Sequence, residues 1–298
     1  MKKLLFLINP YSGKVQIKNE LLDILKTMNE AGYETTVWTS QRPKHITELV
    51  EQYGTEYDRI VCSGGDGTLH EAVTGLMALP QEQRPPMGYL PSGSTNDVAF
   101  GLELPTELQQ AAEVTVGDHM VELDIGQFEN RFFTYVAAFG AFTEVTYLTP
   151  QAEKNLLGHP AYVLEGAKRL SDIRPIHVKV TCDGEMIEDN VIFGMVSNAK
   201  SVGGMRNFAG KNVGLDDGLF EMTLVKEPTN PFLDYPAIVT ALLARKTEGD
   251  SNFYTMKGEH MTFEFDEPIS WVLDGEFGGT VHKVEIFNRA RAIRVFVP

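Results

Sequence analysis

Cysteine is scarce. The 298 residues hold two, Cys62 and Cys182, too few for a disulfide framework, and each falls inside a strand-like pattern. Both read as core thiols in a reducing compartment. Positive charge is short as well: 26 Lys and Arg face 41 Asp and Glu, a formal charge of −15. Such a surface repels the phosphates of nucleic acid and excludes it as a partner. It also opposes electrostatic adhesion to an anionic bilayer, so any membrane contact has to be apolar and local or use a small basic patch. No apolar run approaches the length of about 20 residues that spans a bilayer. The opening Met1-Lys2-Lys3-Leu4-Leu5-Phe6-Leu7-Ile8 imitates a signal peptide, but its apolar run stops at Asn9-Pro10, short of an h-region of roughly 7 to 15 residues. It reads better as a first buried strand. Internal repeats and low-complexity tracts are missing too. What remains, with 43% apolar residues, is a globular chain long enough for two domains.

The stretch that organises it is Val61-Cys62-Ser63-Gly64-Gly65-Asp66-Gly67-Thr68-Leu69-His70-Glu71. It leaves a strand over 59–63, turns on three glycines within four positions, and enters a helix whose apolar residues Leu69, Ala72, Val73 and Leu76 follow the i, i+3, i+4, i+7 rule. Thr68 and Glu71 stand at capping-box spacing, which predicts the helix start at Thr68. Glycines admit a ligand close to the backbone, and the first N–H groups of a helix attract an anion, so a phosphate site is expected. Asp66 is the one acid in the turn. A carboxylate beside phosphates normally acts through a divalent cation, which points to a metal-nucleotide.

Around this turn the pattern is α/β. Residues 3–8 form a continuous apolar strand followed by a loop over 9–14; Ile17, Leu21, Ile24, Leu25 and Met28 mark a helix stopped near Gly32; a strand covers 33–39, a helix 44–53 and a short strand 87–90. Gly13-Lys14 followed by Val15 is not a Walker loop. The turn over 91–97 offers the hydroxyls of Ser94 and Thr95 and a second carboxylate, Asp97, at the same sheet edge as Asp66. Asn96 or Asp97 also suits the cap of the short helix that follows. From about residue 121 strands dominate, with hairpin signals at Glu129-Asn130 and Asp183-Gly184. The expected division is an α/β domain over 1–120 and a mainly antiparallel domain over 121–298, a β-sandwich. Helical insertions interrupt the latter at 160–171 and 231–246. Phe142, Tyr147, Leu156 and Leu157, among glycines, form an apolar stretch suited to the lip of a pocket.

Gly64-Gly65-Asp66-Gly67-Thr68 resembles the GGDGT signature shared by diacylglycerol, sphingosine, bacterial lipid and NAD kinases. Two flanking segments narrow the choice: Asn9-Pro10-Tyr11-Ser12-Gly13-Lys14 is similar to the NPxSGK opening of the diacylglycerol kinase catalytic domain, and Leu90-Pro91-Ser92-Gly93-Ser94-Thr95-Asn96-Asp97 to its P-x-G-T-x-N-D turn. His70 departs from the asparagine these kinases often carry. Farther on, Leu123-Asp124-Ile125-Gly126, Asp216-Asp217-Gly218-Leu219 and Asp274-Gly275-Glu276 resemble later motifs of the bacterial lipid kinases.

The resemblance implies a diacylglycerol kinase-like α/β domain, also akin to NAD kinase, that binds ATP, and a second domain that takes the lipid, the reaction lying in the cleft between. It implies transfer of the γ-phosphoryl group to a lipid hydroxyl, with diacylglycerol giving phosphatidic acid. Nucleotide contacts fall on Asn9, Pro10, Tyr11, Ser12, Gly13, Lys14, Thr39, Gly64, Gly65, Asp66, Gly67, Thr68, Leu69, His70, Glu71, Ser94 and Thr95. Mg²⁺ lies near Asp66, Asp97 and Asp124, and a separate Mg²⁺ site uses the carbonyls of Gly214 and Leu219 with the carboxylate of Asp217. Asp217-Gly218 also reads as a plain turn. Glu276 is the expected general base, with a solvated hairpin turn as the alternative for the Asp274-Gly275-Glu276 stretch. An NAD kinase or a catalytically silent nucleotide-binding regulator is the rival. A cytoplasmic enzyme, transiently at the inner face of the membrane, is expected, and a homodimer is left open.

Overall fold

In a computed structural model of the protein the described residues are 2–12, 17–141, 174–202, 205–206, 213–244 and 246–298. Two compact units result, one of residues 1–125 with 290–298 and one of residues 126–289. Residues 290–298, expected in the second domain by sequence order, take backbone partners in the first unit.

The first unit is built on β1 (Lys2–Ile8), β2 (Tyr33–Thr39), β3 (Arg59–Gly64) and β4 (Met87–Pro91), parallel and in the order β2-β1-β3-β4. The end of β15 (Glu276–Phe296) adds a further parallel neighbour through Val295 and Met87. Helices cover both faces, which is why β1 is a continuous apolar run rather than an alternating one. Leu4, Phe6 and Ile8 pack with Ile17, Ile24 and Met28 of α1 (Ile17–Glu30) and Leu108, Ala111 and Ala112 of α5 (Leu108–Val116). Leu5 and Leu7, on the alternate face, are fully buried as well. α2 (His45–Tyr53) and α3 (Asp66–Ala78) pack on each other, and α4 (Asp97–Gly101) follows β4 directly. Because the strands are parallel, the loops after β1, β2, β3 and β4 all emerge at one edge, the ligand edge of such sheets.

The second unit is sheet-rich. β5 (Met120–Phe128) and β15 carry the chain across the unit boundary. Along the sheet the order is β13 (Phe253–Gly258), β12 (Phe220–Lys226), β9 (Glu185–Ser197), then β7 (Val136–Gly140) and β8 (Ile176–Cys182) together, then β14 (His260–Leu273) and β15, with β5 and β6 (Arg131–Phe133) beyond. Neighbours are antiparallel wherever their register is defined. The two expected two-residue hairpins are present: Phe128 faces Arg131 across Glu129-Asn130, and Cys182 faces Glu185 across Asp183-Gly184. Phe133 of β6 meets Phe220 of β12 with ring centroids 5.5 Å apart, so the sheet turns over onto itself around one aromatic core that includes Phe128, Phe139, Phe263 and Trp271.

β7 and β8 behave as one strand with an insertion. Gly140 pairs with Phe193, the amide of Ala141 donates to Ile192 O, and the register resumes with Ile176 opposite Val191. The chain thus leaves and re-enters the sheet at adjacent positions. The departure needs a left-handed residue: Gly140 has φ +84, and a Cβ there would lie 2.5 Å from Ile192 O. The proposed lip residues Phe142, Tyr147, Leu156 and Leu157, and the helix expected at 160–171, lie outside the described residues. The other expected helix is present as α6 (Pro231–Ala244), and β10 (Ser201–Val202) pairs with β11 (Met205–Arg206). Both cysteines are buried free thiols, and burial pushes Cys62 up to about 12. Among the described residues no helix is long and apolar enough to cross a membrane.

Candidate active site

Three loops at the C-terminal edge of the first sheet are tied to one another. Asn9 anchors the first: its amide donates to Ser63 O, its Nδ2 donates to Thr68 Oγ1 at 3.0 Å, and its Oδ1 accepts from Tyr11 N–H at 3.0 Å. Pro10 is half-buried and Tyr11 exposed. Ser12 N–H donates back to Asn9 O, and its Oγ lies 3.5 Å from Ser92 Oγ in the loop after β4. The predicted contacts Gly13 and Lys14 lie outside the described residues. Thr39 is exposed at the end of β2, opposite Ile8.

The glycine turn serves packing as well as access. Gly65 and Gly93 stand back to back: a Cβ on Gly65 would lie 3.2 Å from Gly93 Cα, and one on Gly93 would lie 2.5 Å from Gly65 Cα. Side chains at either position would force the loops after β3 and β4 apart. Gly64 O accepts from Ser92 N–H and from the Tyr89 hydroxyl. Gly67 has nothing within 4 Å of where a Cβ would stand, so the first turn of α3 faces open space, as an incoming anion requires.

Helix α3 begins at Asp66 with Gly65 as its N-cap, two residues before the expected start at Thr68, and the expected capping box is absent. Thr68 is buried and accepts from Asn9, while Leu69 is in the core at 2% exposure. Glu71 turns away from its own helix: Oε1 accepts from Lys44 N–H at 2.8 Å and Oε2 from Ile46 N–H at 3.2 Å. It therefore caps the start of α2, because the spacing that permits a box also permits a reach to a neighbour. His70 is half-buried and Ser94 and Thr95 are exposed.

Asp66 Oδ2 accepts from Asn96 N–H at 2.8 Å, and Asp97 is buried at the head of α4. Both carboxylates act on the phenol of Tyr89, whose pKa is held well above its ordinary value by burial first, then by Asp66, Cys62 and Asp97. Two acids and a buried hydroxyl thus share one region of this edge. Asp124, expected beside them, is buried and its Oδ1 accepts from Arg291 N–H at 2.7 Å. Asn96, expected only as a possible helix cap, is the N-cap of α4 but turns its side chain to Gly93, and Tyr89 carries no motif; the left-handed φ of 54° at Asn96 leaves no trace in composition or periodicity.

In the second unit Asp274 and Gly275 form a tight turn, with Leu273 opposite Glu276. Asp274 is buried, at φ 50°, and its carboxylate accepts from the amides of Thr134, Tyr135 and Val136 at 2.6, 3.0 and 3.1 Å. Glu276 is exposed. The 213–219 loop curls around Asp217: its Oδ1 accepts from Leu219 N–H at 3.0 Å, and its carboxylate stands against the Cα of Gly214. Among the described residues no group of three or more His, Cys, Asp or Glu is placed to hold a metal ion, so a cation at this loop would rely on backbone carbonyls with the one carboxylate.

A helix N-terminus flanked by glycine and hydroxyl loops at the carboxyl edge of a parallel sheet is the arrangement in which α/β proteins receive anions such as phosphate. The sequence model of the diacylglycerol kinase catalytic domain matches residues 3–128. A diacylglycerol kinase of Bacillus subtilis (strain 168) is 32% identical over 300 residues, covering 100% of this chain and 97% of that protein. One of Staphylococcus aureus (strain MRSA252) is 30% identical over 298 residues, covering 100% and 93%. The chain belongs to the diacylglycerol kinase family, lipid kinases that transfer a phosphoryl group to an alcohol. Two solved structures of Bacillus anthracis str. Sterne proteins share the fold, with TM-scores of 0.86 and 0.79 at 24% and 22% identity; each covers 100% of this chain, and this chain covers 95% and 97% of them. The second is named a diacylglycerol kinase.

Proposed function

We propose that this chain transfers the γ-phosphoryl group of ATP to the free hydroxyl of diacylglycerol, giving phosphatidic acid, with its first unit as an ATP-binding domain of the kind shared with NAD kinases. The observation that carries the reading is the back-to-back packing of Gly65 and Gly93, which sets the open N-terminal turn of α3 and the Asp66 carboxylate at one sheet edge. ATP phosphates would meet the backbone of residues 65–67, the hydroxyls of Ser94 and Thr95, and Lys14. Thr39 stands at the same edge for the nucleoside. Leu69 and Glu71 take no part through their side chains, which are engaged elsewhere.

The acids fit Mg²⁺, a hard cation that prefers carboxylate oxygen and retains water: Asp66 and Asp97 would hold it, and when bound it neutralises charge on the phosphate oxygens. The remaining contribution is positioning by the loops. Glu276 accepts the proton of the lipid hydroxyl, and the second unit carries the lipid. The Gly214, Asp217 and Leu219 loop would hold a further Mg²⁺ in a supporting role. The working place of such an enzyme is the cytoplasmic face of a membrane, where its substrate resides.

Incubation of the purified protein with radiolabelled ATP, Mg²⁺ and a panel of lipid alcohols tests this. Label should appear in phosphatidic acid, and Asp66→Ala should abolish it while leaving the fold intact. Label in NADP with none in lipid would favour an NAD kinase, and none in any acceptor a silent regulator.

A further inference from the structure

We infer that Asn96 is a positioning residue that fixes the direction of the Asp66 carboxylate; this rests on the reading of Asp66 as a metal-holding acid. Asn96 adopts a left-handed backbone, φ 54°, a conformation that Asn tolerates far better than most residues. Its side chain is locked from three directions. Oδ1 accepts from Gly93 N–H at 2.9 Å, Nδ2 donates to Gly93 O at 3.0 Å, and Oδ1 also takes the Tyr89 hydroxyl at 3.3 Å. The same hydroxyl lies 3.1 Å from Gly64 O in the glycine turn. With its side chain pinned to Gly93 and to the Tyr89 hydroxyl that also meets the glycine turn, Asn96 aims its own N–H at Asp66 Oδ2, 2.8 Å away. A carboxylate with one oxygen fixed presents its other oxygen in a defined direction, which is the service an outer-shell partner performs for a metal ligand. The left-handed turn also delivers the next residue, Asp97, buried at the head of α4. One residue therefore sets the geometry of both acids.

A loop lock with no bearing on the metal would cost stability and nothing else. The two roles separate in the full-length protein by calorimetric titration of ATP with and without Mg²⁺, beside the Mg²⁺ concentration for half-maximal activity and the melting temperature. Asn96→Gly keeps the left-handed backbone and the N–H but removes the lock. Tyr89→Phe removes one of its bonds and leaves the ring in the core. Asn96→Gly should raise the Mg²⁺ requirement by roughly 10- to 100-fold, the usual cost of losing an outer-shell partner, and lose the metal-dependent gain in ATP affinity while metal-free ATP binding stays close to the parent's. Tyr89→Phe should shift both in the same sense by a smaller factor. Should the glycine variant fold and keep the parental Mg²⁺ curve, the inference is wrong; should it fail to fold, a parental curve for Tyr89→Phe overturns the inference equally. Asp66→Asn, titrated alongside, tells the two failures apart: parental metal-dependent ATP binding in that variant removes the reading of Asp66, whereas its loss beside an unaffected Asn96→Gly removes only the role of Asn96.

Discussion

Two acids two positions apart, Asp274 and Glu276, compete for the role of base, and their surroundings separate them. Asp274 receives three backbone N–H groups, so its lone pairs are occupied in shaping the 134–136 bend against the turn. Glu276 is exposed at the start of β15 and has a carboxylate to offer a substrate. Glu276→Gln is expected to lower kcat by the roughly 10² to 10⁴ of a lost general base without changing the melting temperature. Asp274→Asn should instead act on stability, at about 1.5–3 kcal/mol for each hydrogen bond to a charged group that is lost. Paired kinetics and melting curves decide it: near-parental kcat for the glutamine variant beside a folded but silent Asp274→Asn would transfer the role. A second residue-scale effect sits on β12. Glu221 is 5% exposed, and the Lys257 ammonium stands 2.8 Å from its Oε1. Burial raises the Glu221 pKa, while the bond to Lys257 opposes the rise. A carboxyl with a folded pKa above its unfolded value contributes most stability at low pH and loses it as pH climbs from the unfolded value, about 4.3, through the folded one. Lys257→Met removes the opposing effect and widens that window. The variant should therefore lose more melting temperature relative to the parent at pH 8 than at pH 5; equal losses at the two pH values would contradict this. Lys257 itself is raised, chiefly by its bond to Glu221, so its own titration lies above the ordinary lysine range and outside the comparison.

Helices α2 and α3 are tied by hydrogen bonds as well as by packing. Glu71 lies on α3 yet caps α2, and its backbone carbonyl accepts from Thr47 Oγ1 at 2.8 Å, so the helix that follows the glycine turn is tied to the second helix. Glu71→Ala should cost about 1 kcal/mol, as a lost cap does, or roughly 2–4 °C in melting for a domain of 150–250 residues, with ATP affinity unchanged by calorimetry. Weakened ATP binding at a constant melting temperature would mean that Glu71 meets the nucleotide after all. Elements of this kind mark the boundary of what the sequence made legible. The alternating strands and helices of the first 120 residues, the three loops and both hairpins follow from local signals: apolar period, glycine clusters and two-residue turn pairs. The capping box misled because its spacing says only that a carboxylate is near a helix start, not whose. The split strand of β7 and β8 was unreadable for a different reason. Its two halves are separated by the 141–175 segment and become one only through their shared partners β9 and β14. The Asn96 lock likewise depends on atoms of β4, of the loop after it and of the glycine turn meeting.

At the scale of the molecule, the chain enters its second unit within β5 and returns within β15, so the first unit is completed by residues about 165 positions later. No periodicity encodes such a return. Ala292, Ile293, Val295 and Phe296 are each 4% exposed or less. Val295 pairs with Met87, Val297 N–H donates to His119 O, and Arg84 Nη1 donates to Ala292 O at 2.8 Å. The guanidinium of Arg59 lies 3.6 Å from the Phe296 ring centroid, which ties the same stretch to β3. Burying a large apolar side chain contributes about 1.5–3 kcal/mol, so the loss of Ile293, Val295 and Phe296 together approaches the net stability of about 5–15 kcal/mol that a whole domain possesses. Residues 1–125 expressed alone are therefore expected to lack a cooperative melting transition by circular dichroism. The remedy follows from one hydrogen bond: Asp124 Oδ1 accepts from Arg291 N–H at 2.7 Å, so residues 125 and 290 are neighbours and a short Gly-Ser linker can join them. A fusion of 1–125 through that linker to 290–298 should melt cooperatively. Adding Val295→Asp to the fusion should abolish the transition, because a charge would replace a core side chain that is 1% exposed. Cooperative melting of residues 1–125 alone, at the temperature of the fusion, would show that the returning strand is an accessory to the first unit and not part of its core.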